Sequence, residues 1–191
     1  MDCVAMNVND LLCVGAEPLA FVDYIAVPTP SNDAHSRIGE SLSEACKRAN
    51  VTLAGGETAT LPGIVTELDL SGTALGWLPS GKAIAGSDIR PDDVLIGFPS
   101  SGIHSNGFSL VRKVVSKSGM SLTEPCPFSP EHESRSVEFD HGDLGSVLLN
   151  PTRIYVDPIV ELLFSDMAIC KRGSIHGIAH ITGGGLSNLL R

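Results

Sequence analysis

The chain has 191 residues, of which 42% are hydrophobic and 18% charged, fractions that are typical of a globular protein of one or two domains. Its formal net charge of −9 argues against nucleic acid as a partner, because nucleic-acid-binding proteins carry a basic stripe. No apolar run approaches the roughly 18 residues that a membrane-spanning helix needs, and the N-terminus lacks the basic region of a signal peptide.

The cysteines indicate the compartment of the protein. The five cysteines are scattered along the chain and include no C-x-x-C pair. This distribution is typical of reduced, mostly buried thiols in a cytoplasmic protein, and it argues against a disulfide framework or a zinc site.

The first distinctive stretch runs from Asp10 to Pro18 and has the pattern D-x4-G-A-x-P. The apolar residues at 4–8 predict a strand that leads into it, and a second strand is predicted over 19–27. A carboxylate where a strand breaks into a turn is suited to holding Mg²⁺ against polyphosphate, since Mg²⁺ takes oxygen ligands. A capped turn, in which Asp10 binds nearby backbone amides, explains this stretch equally well on its own.

A helix is predicted over 34–49, because Ser31-Asn32-Asp33 supplies N-cap chemistry and apolar residues recur on one face. A short strand over 51–54 and another over 68–78 complete an α+β unit in the order strand–helix–strand–strand. The nearby helix can cover only one face of the sheet. The other face of the sheet therefore needs a partner.

The strand over 51–54 is predicted to end at Gly55-Gly56-Glu57-Thr58. Paired glycines allow a close approach of the backbone to a ligand, and Glu57 can supply a second carboxylate to a metal held by Asp10. A glycine turn with a solvated glutamate is the alternative. Asp23 and Asp69 support the metal site, because a carboxylate inside a strand is costly unless it is paired or metal-bound.

A polar, Gly-rich stretch over 79–91 predicts a domain boundary, which gives a first domain over 1–78 and a second over 79–191. In the second domain the pattern predicts a strand over 93–98, a helix that begins near 108 and stops at Gly119, and a surface loop over 120–146. Further elements are predicted as a helix over 157–164, a strand over 177–182 and a last helix from about 186.

Two strand-to-helix loops have the composition of anion sites. Residues 100–107 include His104, Ser105, Asn106 and Gly107, and residues 182–185 read Thr-Gly-Gly-Gly. Such loops present backbone N–H groups and a helix dipole to an anion, which favours a phosphorylated substrate. His104 could instead be a simple capping residue. No G-x-x-x-x-G-K-[ST] pattern is present, which excludes nucleotide binding of the P-loop type.

Five stretches in register carry a family resemblance: Asp10 to Pro18, Gly55 to Gly63, Ser100 to Leu110, Pro151 to Tyr155 and Ala179 to Gly185. Together they resemble the phosphoribosylformylglycinamidine cyclo-ligases, the aminoimidazole ribonucleotide synthetases of purine biosynthesis. The first motif is shared with sister enzymes of the superfamily. The H-S-N-G-F-S-L and P-T-R-I-Y stretches are what single out the cyclo-ligase.

The resemblance implies two α/β domains, the first dimerising so that strands of two subunits close a β-barrel. It implies ATP- and Mg²⁺-dependent ring closure of formylglycinamidine ribonucleotide to aminoimidazole ribonucleotide, with release of ADP and phosphate. The metal ligands would be Asp10 and Glu57, and the catalytic residues His104, Asn106 and Asp10. The nucleotide would contact Asp10, Gly15, Ala16, Gly55, Gly56, Glu57 and Thr58. The substrate would contact Ser105, Gly107, Thr182, Gly183, Gly184 and Gly185.

The family's glycine-rich, lysine-bearing N-terminal segment has no counterpart in this sequence, and neither has the far part of its second domain. We therefore expect a fragment of the enzyme, which forms a homodimer and is incomplete as a catalyst. Two alternatives stay open: a small-molecule kinase of the same superfamily, which would release a phosphorylated product, and an inactive dimerisation fragment.

Overall fold

The computed structural model describes residues 1–127 and 142–190. Their helices are α1 (Asp2–Cys13), α2 (Asn32–Arg48), α3 (Phe108–Ser118), α4 (Leu144–Leu148) and α5 (Val156–Phe164), and the strands are β1 (Glu17–Val27), β2 (Thr52–Thr60) and β3 (Asp69–Trp77). Residues Arg172–Ser174 and Gly185–Leu190 form 3-10 helices. No helix in this part of the chain is both long and apolar enough to cross a membrane.

The chain divides into two compact units. The first contains Met1, residues 3–93 and residues 154–180, and the second contains Asp2, residues 94–153 and residues 181–191. The sheet, α2 and α5 therefore belong to the first unit, whereas α3, α4 and the last 3-10 helix belong to the second.

The predicted strand over 4–8 is wrong, since these residues lie in helix α1. Val4, Val8 and Leu12 recur every four residues and are buried on one side of this helix. A short apolar run fits a strand as well as a buried helix, and the spacing over the longer window decides between them.

The first unit contains a three-stranded sheet in the order β2-β1-β3, with β1 parallel to β2 and antiparallel to β3. Helix α2 connects the two parallel strands, and the Ser31 hydroxyl caps it by accepting a hydrogen bond from the Ala34 N–H. The predicted order strand–helix–strand–strand is confirmed, with α1 preceding it.

The predicted end of the strand at 55–58 is wrong, because β2 continues through these residues to Thr60. Residues Gly55 to Thr58 pair in register with Val22 to Ile25 of β1. The parallel ladder supplies hydrogen bonds that keep the two glycines extended, so tertiary pairing overrides their local preference for a turn.

The core of the first unit lies on one face of the sheet. Phe21 and Ile25 of β1 contribute to it, together with side chains of three helices: Val4, Val8 and Leu12 of α1, Leu42, Ala45 and Cys46 of α2, and Val156, Ile159 and Leu163 of α5. The opposite face stays open. By register Val22, Tyr24 and Leu75 lie on it, and their side chains are 40%, 39% and 66% exposed.

In the described part of the second unit, Leu144 is the one buried apolar residue. The predicted helix over 108–118 is confirmed as α3, which ends at Gly119 in a left-handed conformation. The predicted loop over 120–146 falls partly on residues 128–141, outside the described residues, and α4 begins at Leu144.

The predicted strands over 93–98 and 177–182 are wrong, since neither segment is a strand. Val94, Leu95 and Ile96 have the composition of a buried strand, yet they are 79–85% exposed. A strand persists only when a neighbour satisfies its backbone groups, and the described residues offer this segment no pairing partner.

Replacing Gly72 by Ala should destabilise the first unit, because a Cβ at this position would overlap the fully buried ring of Phe21. We expect the free energy of unfolding to fall by about 1–3 kcal/mol, the usual cost of overpacking. Urea denaturation would measure it.

The matched control is Gly39→Ala, which adds a Cβ in α2 with nothing within 4 Å. This variant should gain about 0.5–1 kcal/mol of stability. A Gly72→Ala protein as stable as the unaltered chain would contradict the close packing of β3 on Phe21.

Candidate functional site

Helix α1 places Asp10 next to an open pocket in the first unit. The Asp10 side chain is 72% exposed. The pocket has a volume of about 360 Å³ and is lined by Asn7, Asp10, Leu11, Val14, Gly72, Thr73 and Ala74. The carboxylate is therefore accessible to a ligand.

His180 contacts this carboxylate. Its Nδ1 lies 2.8 Å from Oδ1 of Asp10, and its own side chain is only 12% exposed. An ionised carboxylate only accepts hydrogen bonds, so His180 donates through Nδ1–H. The pair fixes the orientation of one Asp10 oxygen and leaves the other for further partners.

The turn that follows α1 is held by Arg172. Its Nη2 donates hydrogen bonds to the carbonyl oxygens of Gly15, at 2.7 Å, and of Lys82, at 2.9 Å. The guanidinium carbon lies 4.8 Å from the centroid of the Phe164 ring, and burial lowers the pKa of the guanidinium. Gly15 has a φ of +75°, and a Cβ there would meet the guanidinium, so both backbone conformation and space require glycine.

Glu57 lies on β2 opposite Tyr24, with its side chain exposed. Gly56, the preceding residue, packs directly against the Asp23 carboxylate. Within residues 1–127 and 142–190, no three His, Cys, Asp or Glu side chains are grouped to hold a metal ion. The described residues thus provide individual carboxylates and not a complete set of metal ligands.

In the second unit, the H-S-N-G stretch and the P-T-R stretch are hydrogen-bonded to each other. The Ser101 hydroxyl donates to the Pro151 carbonyl at 2.7 Å. Nε2 of His104 accepts from the backbone N–H of Ser101 at 3.0 Å and of Arg153 at 3.4 Å. His104 adopts a φ of +60°, which is uncommon for a residue other than glycine. These bonds hold its ring against both segments.

Thr152 and Asp2 complete this network. One Asp2 oxygen accepts from the Thr152 hydroxyl at 2.6 Å and from the Thr152 N–H at 2.9 Å. The Ser105 hydroxyl lies 2.7 Å from that of Thr152. Burial, the largest single effect, would raise the pKa of the Asp2 carboxyl, but the hydrogen bonds from Thr152, a backbone hydrogen bond of Asp2 itself and the N-terminal charge together bring the pKa below its usual value.

The other predicted residues of this unit lie at its surface. Asn106 is exposed, and Gly107 is the left-handed N-cap of α3. The Thr182–Gly185 loop leads into a six-residue 3-10 helix, with Gly184 and Gly185 at positive φ.

Two family models match the chain. The N-terminal domain of AIR synthase related proteins matches residues 1–78, and the C-terminal domain of the same proteins matches residues 90–191. The chain belongs to the AIR synthase related protein family. The family resemblance seen in the motifs is thereby confirmed.

The chain is also similar to curated proteins named phosphoribosylformylglycinamidine cyclo-ligase. It is 47% identical to that of Methanothermobacter thermautotrophicus over 191 residues, which is 100% of this chain and 52% of that protein. It is 47% identical to that of Pyrococcus furiosus over 192 residues, 100% of this chain and 51% of the relative. The chain therefore spans about half the length of the curated relatives it matches.

A solved structure shares the fold. The hydrogenase maturation protein HypE superposes with a TM-score of 0.54 at 19% identity, covering 85% of this chain and 43% of HypE. At this identity the likeness shows the fold alone. Together with the family match it confirms the expected two-domain α/β class.

Sequence reasoning did not single out Asp2, Thr152 and Arg172. Thr152 lies in the P-T-R stretch, so its place in a motif was visible, but its partner is 150 residues away. Arg172 meets the Gly15 turn across 157 residues, and no local spacing indicates such a contact.

The lowered pKa of Asp2 has a consequence for stability. The folded state holds the ionised form more tightly than the unfolded chain, so Asp2 stabilises the fold above about pH 4. That contribution is lost as the pH falls through the lowered pKa. We expect Asp2→Asn to be less stable at neutral pH and to lose less stability on acidification.

Urea denaturation between about pH 3 and pH 7 would measure both effects. Asp33→Asn, which alters an exposed carboxylate in the first turn of α2, is the control. Acid profiles that coincide for Asp2→Asn and the unaltered chain would contradict the assignment.

Proposed function

We propose that this chain forms part of a phosphoribosylformylglycinamidine cyclo-ligase. The main support is that the H-S-N-G and P-T-R stretches, which distinguish this enzyme in sequence, lie together in the second unit. Hydrogen bonds connect these two stretches and the residues beside them. The identity of 44–47% to proteins of that name, over the whole chain, supports the same function.

The proposed reaction closes an imidazole ring in de novo purine biosynthesis. The formyl amide oxygen of formylglycinamidine ribonucleotide attacks the γ-phosphorus of ATP, and ADP leaves. An amidine nitrogen then attacks the activated carbon, phosphate departs with the former amide oxygen, and the nitrogen loses a proton. Such phosphoryl transfer depends mainly on positioning and on charge neutralisation. The ATP complex of the structural neighbour HypE supports a nucleotide substrate.

Asp10 and Glu57 are the proposed ligands of Mg²⁺. Both present exposed carboxylates, and Asp10 faces an open pocket. Each carboxylate is by itself a ligand of the kind that Mg²⁺ takes, since the ion is usually held by one or two carboxylates together with water and phosphate oxygens. When bound, the ion would neutralise phosphate charge. Asp10 and its neighbours Gly15 and Ala16, together with Gly55, Gly56, Glu57 and Thr58 on β2, would contact the nucleotide.

His104 and Asn106 are proposed to act at the substrate amide or the transferring phosphoryl group. Ser105 and Gly107 would contact the substrate beside them. The Thr182–Gly185 loop would receive the ribose phosphate through its backbone N–H groups, since its glycines leave the backbone open to approach.

The test is a phosphate-release assay with formylglycinamidine ribonucleotide and ATP. It uses this chain alone and a chimera in which the chain replaces the matching 191 residues of the Methanothermobacter thermautotrophicus relative. Equal amounts of phosphate, ADP and ring-closed product from the chimera are expected. Formation of a phosphorylated product without phosphate release would support a kinase instead.

In the chimera, Asp10→Asn and Glu57→Gln should each lower turnover about 100-fold or more, the order found when a transition-state charge contact is removed. Glu40→Gln alters an exposed glutamate of α2 and should leave turnover unchanged. Unaltered turnover in both Asp10→Asn and Glu57→Gln would rule out the proposed metal ligands.

We further propose a homodimer formed through the first unit. Val22, Tyr24 and Leu75 expose apolar surface on one sheet face, and β2 and β3 are both edge strands. A second copy pairing on this face would bury the apolar surface and close the sheet edges into a barrel.

Leu75→Glu should convert the dimer to a monomer, because a charge on the face buried in the dimer would lose its hydration. Sedimentation analysis at micromolar concentration would measure the mass. Ile64→Glu, at a 77% exposed position between β2 and β3, should stay dimeric. A monomeric unaltered chain would contradict the proposed dimer.

A cytoplasmic location is proposed as well. All five cysteines lie within the described residues and none forms a disulfide, which supports a reducing compartment.

A further inference from the structure

We propose that Thr152, together with Asp2, is a positioning residue that holds the His104 loop, residues 101–107, in the arrangement that the reaction needs. The proposal rests on the proposed function, because it gives Thr152 a role in that same reaction. Neither Thr152 nor Asp2 need contact the reacting atoms. Both act through His104 and Ser105.

The hydrogen bonds of Thr152 have a fixed direction. The residue is 2% exposed, and its hydroxyl has one proton. That proton goes to Asp2, since the ionised carboxylate at 2.6 Å only accepts. The Ser105 hydroxyl lies 2.7 Å from that of Thr152 and 3.4 Å from the same Asp2 oxygen, so its shorter hydrogen bond is the one that it donates to Thr152. Asp2 thus orients Thr152, and Thr152 orients Ser105.

The same contacts determine the state of the His104 ring. Two backbone N–H groups, from Ser101 and Arg153, point at Nε2, so this nitrogen carries a lone pair and the neutral ring has its proton on Nδ1. The bond from Arg153 is the longer one, at 3.4 Å. It depends on the position of residues 151–153, which Thr152 fixes through Asp2.

The contacts that connect the two segments include Ser101 with Pro151, His104 with Arg153, and Ser105 with Thr152. The last of these is anchored on the charged Asp2 carboxylate, and hydrogen bonds to charged groups are about twice as strong as neutral ones. Loss of the Thr152 hydroxyl should release Ser105 and lengthen the neighbouring bond to His104. A threonine with a purely structural role would alter stability and leave the ring unchanged.

The decisive variant is Thr152→Val, which keeps the shape and the backbone N–H but removes the hydroxyl. Thr152→Ser restores the hydroxyl. The matched control is Thr123→Val, because Ser121 and Thr123 form a similar hydroxyl pair at 2.8 Å in the same unit, on its exposed surface.

The first measurement is the ¹⁵N spectrum of the histidine rings in the 191-residue chain, recorded at about pH 8, where imidazole is neutral. Thr152→Val should move the His104 signals from the Nδ1–H form towards the tautomer mixture of a solvated ring. Thr152→Ser and Thr123→Val should give the signals of the unaltered chain. If Thr152→Val does not fold, Asp2→Asn, which removes the charged acceptor, should produce the same change.

The second measurement is steady-state kinetics in the chimera. Thr152→Val should lower kcat by roughly 10- to 100-fold, the cost of misplacing a reacting group, while the KM for ATP changes less than about threefold. Thr152→Ser should recover most of kcat. His104 signals that stay unchanged in both Thr152→Val and Asp2→Asn would overturn the proposal, whatever happens to turnover.

The two proposals can fail separately. A chimera without activity, whose His104 signals still respond to Thr152→Val and recover in Thr152→Ser, would contradict the cyclo-ligase function and support the role of Thr152 in holding the loop. An active chimera in which Thr152→Val turns over normally would contradict the positioning role alone.

Discussion

The burial of one side of helix α1 in the apolar core determines which polar groups of this helix can act. Val4, Val8 and Leu12 are buried against the sheet, and this fixes the rotation of the helix. Successive residues of a helix point about 100° apart, so neighbours in sequence receive different surroundings. Asn9 is 3% exposed and its Oδ1 accepts a hydrogen bond from the Tyr155 N–H. Asp10, the next residue, is directed to the pocket, with a side chain that is 72% exposed.

Much of this arrangement can be predicted from sequence. Helix α2 can be predicted from its Ser31 cap and its apolar face. Strands β1 and β3 can be predicted from their apolar runs, because each of these signals is local. The strand predicted over 4–8 failed because three apolar residues in a row do not distinguish a helix from a strand. The strand end predicted at Gly55 was wrong because pairing with β1, which is about 30 residues earlier in the sequence, keeps that glycine in the strand.

The candidate site was predictable to a similar degree. The motifs containing His104 and Thr152 are visible in the sequence, and the structure brings them together in one unit. The chain order does not reveal that Asp2 accepts from Thr152, because the contact joins residues 150 positions apart. The roles of Asp10 and Glu57 as metal ligands stay predictions, as does the domain boundary over 79–91.

The two units are stabilised by different interactions, and the difference matters for the loops. The first unit has a continuous apolar core, whereas in the described part of the second only Ser101, Leu144 and Thr152 are buried. Two of these three side chains are polar, and each donates a hydrogen bond in the network around His104. A buried hydroxyl without a partner would cost free energy, so each of these two hydroxyls needs its acceptor in place. The apolar side chains of Val94 to Ile96, by contrast, are exposed and add little to this unit. Its order around His104 therefore depends on directional hydrogen bonds, which fix the position of a ring more closely than non-directional apolar packing does.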